Sequence, residues 1–264
     1  MEKQTIAILG CGNLGLALLK GMLKCGNENN NFIITRRNTS LLKKYESQQV
    51  KVTDDNQYAI ENADIVILTF KPYNILRIIG ELKAHFKPEH LVISMATGIT
   101  LASLKQAIGE QTPIVRAMPN TAADVGQSIT CIVYEEKYAQ HVEPAYNTLR
   151  CIGEVIKINE ELMEAATVLG ACGIAYVLRF IRAMVQGGIQ IGFDSVTASK
   201  IVNHTVKGAA QLLLENNTHP EAEIDKVTTP KGCTIVGLNE MEHNGFSSSL
   251  IKGINSSYRD IQKK

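Results

Sequence analysis

Thr5-Ile-Ala-Ile-Leu-Gly10-Cys-Gly-Asn-Leu-Gly15 is a short apolar run that breaks at once into three glycines spaced G-x-G-x-x-G. Leu16, Leu18, Leu19, Met22 and Leu23 then continue as an apolar-rich helical pattern up to Gly26. A strand that feeds such a triplet and opens a helix near the start of a chain is the mark of a dinucleotide-binding βα unit. Each glycine has its own reason to be there. Gly10 permits the tight turn, Gly12 lets a pyrophosphate approach the backbone, and Gly15 lets the helix lie close on the strand. The unpaired N–H groups at the helix start, from Gly12 through Asn13 and Leu14, would hold the anion. The alternative is a glycine-rich turn with no ligand.

The next apolar run, Phe32-Ile-Ile-Thr35, ends where such a fold chooses between its cofactors. An acidic residue about 20 positions beyond the glycines would bind a ribose 2′-hydroxyl. This chain offers Thr35-Arg36-Arg37-Asn38-Thr39 instead. Two guanidiniums with hydroxyl and amide neighbours suit a 2′-phosphate, which arginine grips bidentately. That favours NADP(H) over NAD(H), against the plainer reading of two solvated surface arginines.

Working outward, the pattern changes once. Short β-rich runs span Thr5 to Leu9, Phe32 to Thr35, Ile65 to Phe70, Leu91 to Met95, Pro113 to Arg116, Ser128 to Tyr134 and Glu154 to Ile158. Most are separated by enough chain for a crossover helix, which predicts a doubly wound, mainly parallel α/β sheet over residues 1–159. Beyond Asn159 the strand signals stop. Glu160 to Gln186, Asp194 to Glu215, Lys231 to Asn244 and Ser247 to Gln262 read as helices, so residues 160–264 form an all-helical second domain.

Composition narrows the function. A net charge of +1 and 45% hydrophobic content leave no basic surplus for nucleic acid. No apolar run approaches the roughly 20 residues of a membrane span, and the first strand begins too early for a signal peptide. Cys11, Cys25, Cys131, Cys151, Cys172 and Cys233 show no C-x-x-C spacing and the histidines are dispersed, so no metal site is expected. Scattered cysteines suit a reduced, cytoplasmic interior.

In an open α/β sheet ligands gather at the carboxyl ends of strands. There the chain places Lys71-Pro72, then Ala96 and Gly98 in Met95-Ala-Thr-Gly98, then Asn120 in Met118-Pro-Asn-Thr121. The small residues would admit a ring and Asn120 would orient an amide, although each taken singly is ordinary loop chemistry. In the helical half, Val227-Thr-Thr-Pro-Lys-Gly-Cys-Thr-Ile-Val-Gly-Leu-Asn-Glu-Met-Glu242 is a Thr/Pro/Gly turn running straight into a helix, with Gly245 as its stop. Thr229, Gly232 and Thr234 sit where backbone donors at a helix start hold a small carboxylate or phosphate. A capped helix after a turn is the simpler reading.

Taken with Ala166-Thr167, Gly173 and Ala175-Tyr176, these motifs, above all Thr229-Pro230-x-Gly232-x-Thr234, resemble pyrroline-5-carboxylate reductase over essentially the full length. The resemblance implies a Rossmann-type domain followed by a helical domain that forms a homodimer, or a larger homo-oligomer. It implies reduction of a cyclic imino acid, 1-pyrroline-5-carboxylate, to L-proline with NADPH or NADH. It adds Asn56 to the cofactor contacts and makes Thr229 to Thr234 the substrate turn. Within that frame Gly232 and Cys233 would grip the carboxylate by their N–H groups, and Thr234 would bond the ring nitrogen.

Three departures stand out. Lys231 replaces the family's usual glycine, Cys233 its Thr or Ala, and Gly170-Ala-Cys-Gly-Ile-Ala-Tyr176 its Ser-Gly-Ser-Gly-Pro-Ala-Tyr. They keep two other readings open, a reductase of another cyclic imine and a catalytically weak NADP-binding regulator. The 3-hydroxyacid dehydrogenases share the N-terminal architecture but place a catalytic lysine where Val177 stands here.

Overall fold

The computed structural model describes residues 3–25 and 30–263. The helix end expected at Gly26 lies outside the described residues. Eight strands form one sheet: β1 Thr5–Leu9, β2 Asn31–Thr35, β3 Val50–Thr53, β4 Ile65–Leu68, β5 Leu91–Ser94, β6 Ile114–Met118, β7 Ser128–Tyr134 and β8 Gly153–Lys157. Their order is β3-β2-β1-β4-β5-β6-β7-β8, parallel throughout except for the β6–β7 pair. Helices α1 Asn13–Lys24, α2 Asn56–Glu61, α3 Pro72–Glu81, α4 Leu101–Ile108 and α5 Glu143–Arg150 connect them. The Rossmann-type, doubly wound, mainly parallel sheet expected from the sequence is present.

Alternation along the strands explains why the runs read as continuously apolar. Ile6 and Ile8 face one side with Leu18, Leu19 and Met22 of α1 and Leu149 of α5. Ala7 and Leu9 face the other with Ile75 and Ile79 of α3 and Leu104 of α4. A sheet covered on both faces needs apolar residues at every position. Each fully buried Leu, Ile or Met contributes about 1.5–3 kcal/mol, so the sheet is the stable platform of the chain.

The sequence reading missed β3. It is a four-residue edge strand whose Lys51 is exposed, too short and too mixed to stand out. The winding direction reverses between β1 and β4, which puts the ligand crevice at their carboxyl ends.

Further along lie α6 Met163–Ala166, a π-helical turn Thr167–Cys172, α7 Gly173–Gln190, α8 Ser195–Asn216, α9 Pro220–Lys226, α10 Cys233–His243 and α11 Phe246–Ile261. Helix α9, begun by Pro220, was not foreseen. Residues divide into one compact unit of Met1–Cys172 with Asp260–Lys264 and a second of Gly173–Arg259. Glu160–Gln190 is a helical run long and apolar enough, by length and composition, to cross a membrane, with an 18-residue window of mean hydropathy 1.7. Arg179 and Arg182 interrupt it, so it is not an unbroken apolar run.

Candidate active site

At the switch point β1 turns through Gly10, whose φ is +73°. A side chain there would be strained by the backbone, and its Cβ would lie 2.5 Å from the Phe70 ring. A Cβ on Gly15 would come within 3.0 Å of Ile8 and 3.1 Å of Cys11 Sγ, so this glycine is what lets α1 pack on the strand. Gly12 is different. A Cβ there would meet only the Gly10 carbonyl, at 3.9 Å, so the space above it is open. Gly12 is also the N-cap of α1, with no side-chain cap and no acidic residue in the first turn. The helix therefore offers bare N–H donors to open space, which fits a pyrophosphate.

The loop is held from β2. Thr35 Oγ1 accepts from Gly10 N–H at 3.2 Å and donates to Asn56 Oδ1 at 2.5 Å, while Cys11 N–H donates to the Thr35 carbonyl at 2.7 Å. Thr35 is wholly buried, so this relay joins the glycine turn to the start of α2 in a dry environment. Burial pushes the Cys11 thiol up to about 12, only partly countered by the Arg36 charge, so it stays a neutral filler.

A cleft of about 1500 Å³ opens above these strand ends. Its lining brings together Gly10, Gly12, Asn13, Leu14, Gly15, Thr35, Arg36, Arg37, Asn56, Lys71, Pro72 and Asn120. Ala96 and Gly98 are not part of that lining. Ala96 packs into the core on the α3–α4 side, and Met95 and Thr97 on either side of it line the cleft instead. Small residues after a strand suggested ring clearance, but strand alternation had turned this one inward. Asp54, at the carboxyl end of β3, also lines the cleft; it went unread because its strand did.

Asn120 is buried and its amide is engaged. Nδ2 donates to the Gly170 carbonyl at 3.0 Å, and Oδ1 accepts from Ala122 N–H at 3.0 Å. Ala171, in the same π-helical turn as Gly170, lines the cleft.

In the second unit, Thr229 to Gly232 make a tight turn closed by Gly232 N–H to the Thr229 carbonyl at 2.9 Å. Pro230 takes its second position and Lys231, at φ +60°, its third, as in a type II turn. A Cβ on Gly232 would lie 2.6 Å from Thr229 Oγ1, so the turn closes only with glycine there. Gly232 is the N-cap of α10, again with no side-chain cap and no acid in the first turn. Thr229 and Cys233 are exposed, and Thr234 is half-buried. Ile235 and Leu238 are half-buried while Met241 is exposed, so only part of the expected apolar face is covered. Tyr176, from the shared motif, bonds Ser257 through its hydroxyl at 2.7 Å.

Comparison with known proteins gives these features a context. Residues 160–264 match the family described as pyrroline-5-carboxylate reductase dimerisation, and residues 5–98 the one described as NADP oxidoreductase coenzyme F420-dependent. Pyrroline-5-carboxylate reductase 1 of Dictyostelium discoideum is 42% identical over 94% of this chain, which spans about half (48%) of that relative's length. Pyrroline-5-carboxylate reductase 2 of the same organism is 39% identical over 96% of this chain and 90% of its own. The solved structure of a pyrroline-5-carboxylate reductase from Coxiella burnetii superposes with a TM-score of 0.91 at 28% identity, covering 99% of this chain and 98% of that one. With its glycine turn, its dinucleotide-sized cleft and the Thr-Pro-x-Gly-x-Thr turn at a helix start, this chain belongs to the pyrroline-5-carboxylate reductase family.

Proposed function

We propose that this chain is an oxidoreductase that reduces 1-pyrroline-5-carboxylate to L-proline, the last step of proline biosynthesis. The observation that carries the reading is its likeness to two reductases of that name across 94% and 96% of its length. The bare N-termini of α1 and α10 are the two anion-binding features the reaction needs.

Bound NADPH supplies the hydride. Arg36 and Arg37 would hold its 2′-phosphate, which would favour NADPH with NADH as the weaker donor. The N–H groups of Gly232 and Cys233 hold the substrate carboxylate, and Thr229 shapes the turn that presents them. A protonated cyclic imine accepts hydride without a strong base, so Thr234 need only hydrogen-bond the ring nitrogen and stabilise the forming amine. The remainder of the acceleration is proximity and orientation.

The functional halves run 1–159 and 160–264, the second serving substrate binding and homodimerisation, and the enzyme works in the cytoplasm. The dimerisation match over 160–264 supports the role of the second half.

NADPH consumption with pyrroline-5-carboxylate, its six-membered analogue and an uncarboxylated imine tests the reading. Fastest turnover is expected on the five-membered carboxylated ring. Activity confined to the uncarboxylated imine would remove the carboxylate cradle, and activity on the six-membered ring alone would make this a reductase of another imine. No turnover on any, with NADPH still bound, would make the chain a regulator. Replacing Arg36 and Arg37 together by Ser should cost about tenfold to a hundredfold in preference for NADPH over NADH, as expected for lost charge-assisted bonds.

A further inference from the structure

The π-helical turn Thr167–Cys172 is a feature no motif announces. Such turns are wide, rare, and concentrated at functional sites. Side-chain donors reach one carbonyl within it and one in the turn before it. Thr167 Oγ1 donates to the Met163 carbonyl at 2.8 Å, and Asn120 Nδ2 donates to the Gly170 carbonyl at 3.0 Å. Asn120 is itself fixed by two further bonds. Its Oδ1 accepts from Ala122 N–H at 3.0 Å and its own N–H donates to Ser128 Oγ at 3.0 Å. Only 7% of Asn120 is exposed, and its amide is held as a strut between β6 and the turn. Ala171, next in the chain to Gly170, lines the cleft, as do Met118 and Thr121. Four inter-strand steps, about 19 Å, separate β6 from β2 and the Arg36–Arg37 end of the cleft. With the adenosine phosphate at that end, the β6 end is where the reacting ring of an extended dinucleotide belongs.

We propose that Asn120 is a positioning residue for hydride transfer. Its amide clamps the π-helical turn to the carboxyl end of β6 and so sets where Ala171 stands against the reacting end of the cofactor. The inference rests on the reductase reading above. It assigns Asn120 an action through the turn rather than through contact with the cofactor amide.

Asn120→Asp keeps the shape and the acceptor for Ala122 N–H but loses the donor to Gly170. Asn120→Ala, which adds no charge, serves if the aspartate variant fails to fold. Two measurements on the full chain decide. Hydrogen exchange of the amides from Thr167 to Cys172, without substrate, should quicken about tenfold in either variant, the scale of one lost hydrogen bond. Unchanged exchange overturns the clamp. In steady state, kcat should fall about tenfold while the KM for NADPH stays within about threefold. Exchange that quickens with kcat unchanged overturns the positioning role, as does a loss confined to KM. If the parent chain reduces none of the imines, the reductase reading fails by itself. The turn's effect is then read from the fluorescence of bound NADPH, and an unaltered spectrum in a variant with quickened exchange overturns the proposal.

Discussion

Lys231 holds a left-handed backbone in the Thr229–Gly232 turn, with φ +60° at the third position behind Pro230. A left-handed conformation costs a non-glycine residue roughly 1–2 kcal/mol, part of which glycine returns as extra entropy in the unfolded chain. Lys231→Gly should therefore stabilise the protein by about 0.5–1 kcal/mol in urea denaturation, and a loss of stability would show that the lysine makes a compensating contact. Thr234 tests the chemistry instead. Thr234→Ala should lower turnover more than NADPH affinity if its hydroxyl bonds the substrate nitrogen as proposed; steady-state constants identical to the parent's would remove it from the mechanism. At this scale the sequence was informative about identities and blind to employment. Asn120 was legible as a polar residue at a strand end, but its bond to Gly170, 50 positions away, was not.

Helix α1 shows how one element carries two demands. Gly15 serves packing, since a Cβ would press on Ile8, Cys11 and Thr69 at 3.0–3.2 Å. Gly12 faces open space, so a Cβ there would meet no packing but would enter the room proposed for the pyrophosphate. Gly15→Ala should cost about 1–3 kcal/mol of stability through overpacking. Gly12→Ala should leave the melting temperature nearly unchanged while weakening NADPH binding at least tenfold. Equal losses of stability in both would contradict this division of labour. The long strands and the glycine turn could be read from period and spacing. The edge strand β3 and helix α9 could not, because four to seven residues with mixed polarity carry no periodic signal. The π-helical turn also escaped, since its sequence Thr-Val-Leu-Gly-Ala-Cys is compatible with an ordinary helix.

At the scale of the whole molecule the two units have unequal interiors. The sheet unit is packed on both faces, whereas the second unit's buried cluster is Val185, Ala198 and Val202. It leaves Leu178, Ile191, Val196, Leu214 and Ile251 exposed in the single chain. Apolar surface on this scale suits a partner, and the homodimer proposed above would cover it with a second copy. Light scattering after gel filtration should give at least twice the chain mass, and Leu178→Asp should lower it or destabilise the fold; a monomeric parent at micromolar concentration would sink the dimer. By itself the sequence determined the fold class, the glycine turn and the arginine pair, because these are local. Periodicity, turn chemistry and helix starts are written in residues a few positions apart. Only the tertiary structure decided which strand-end residues reach the cleft, that Ala96 turns inward, and that Asn120 holds a distant turn. Those facts depend on which face of a strand is buried and what packs there, and burial is settled by contacts between parts of the chain far apart in sequence.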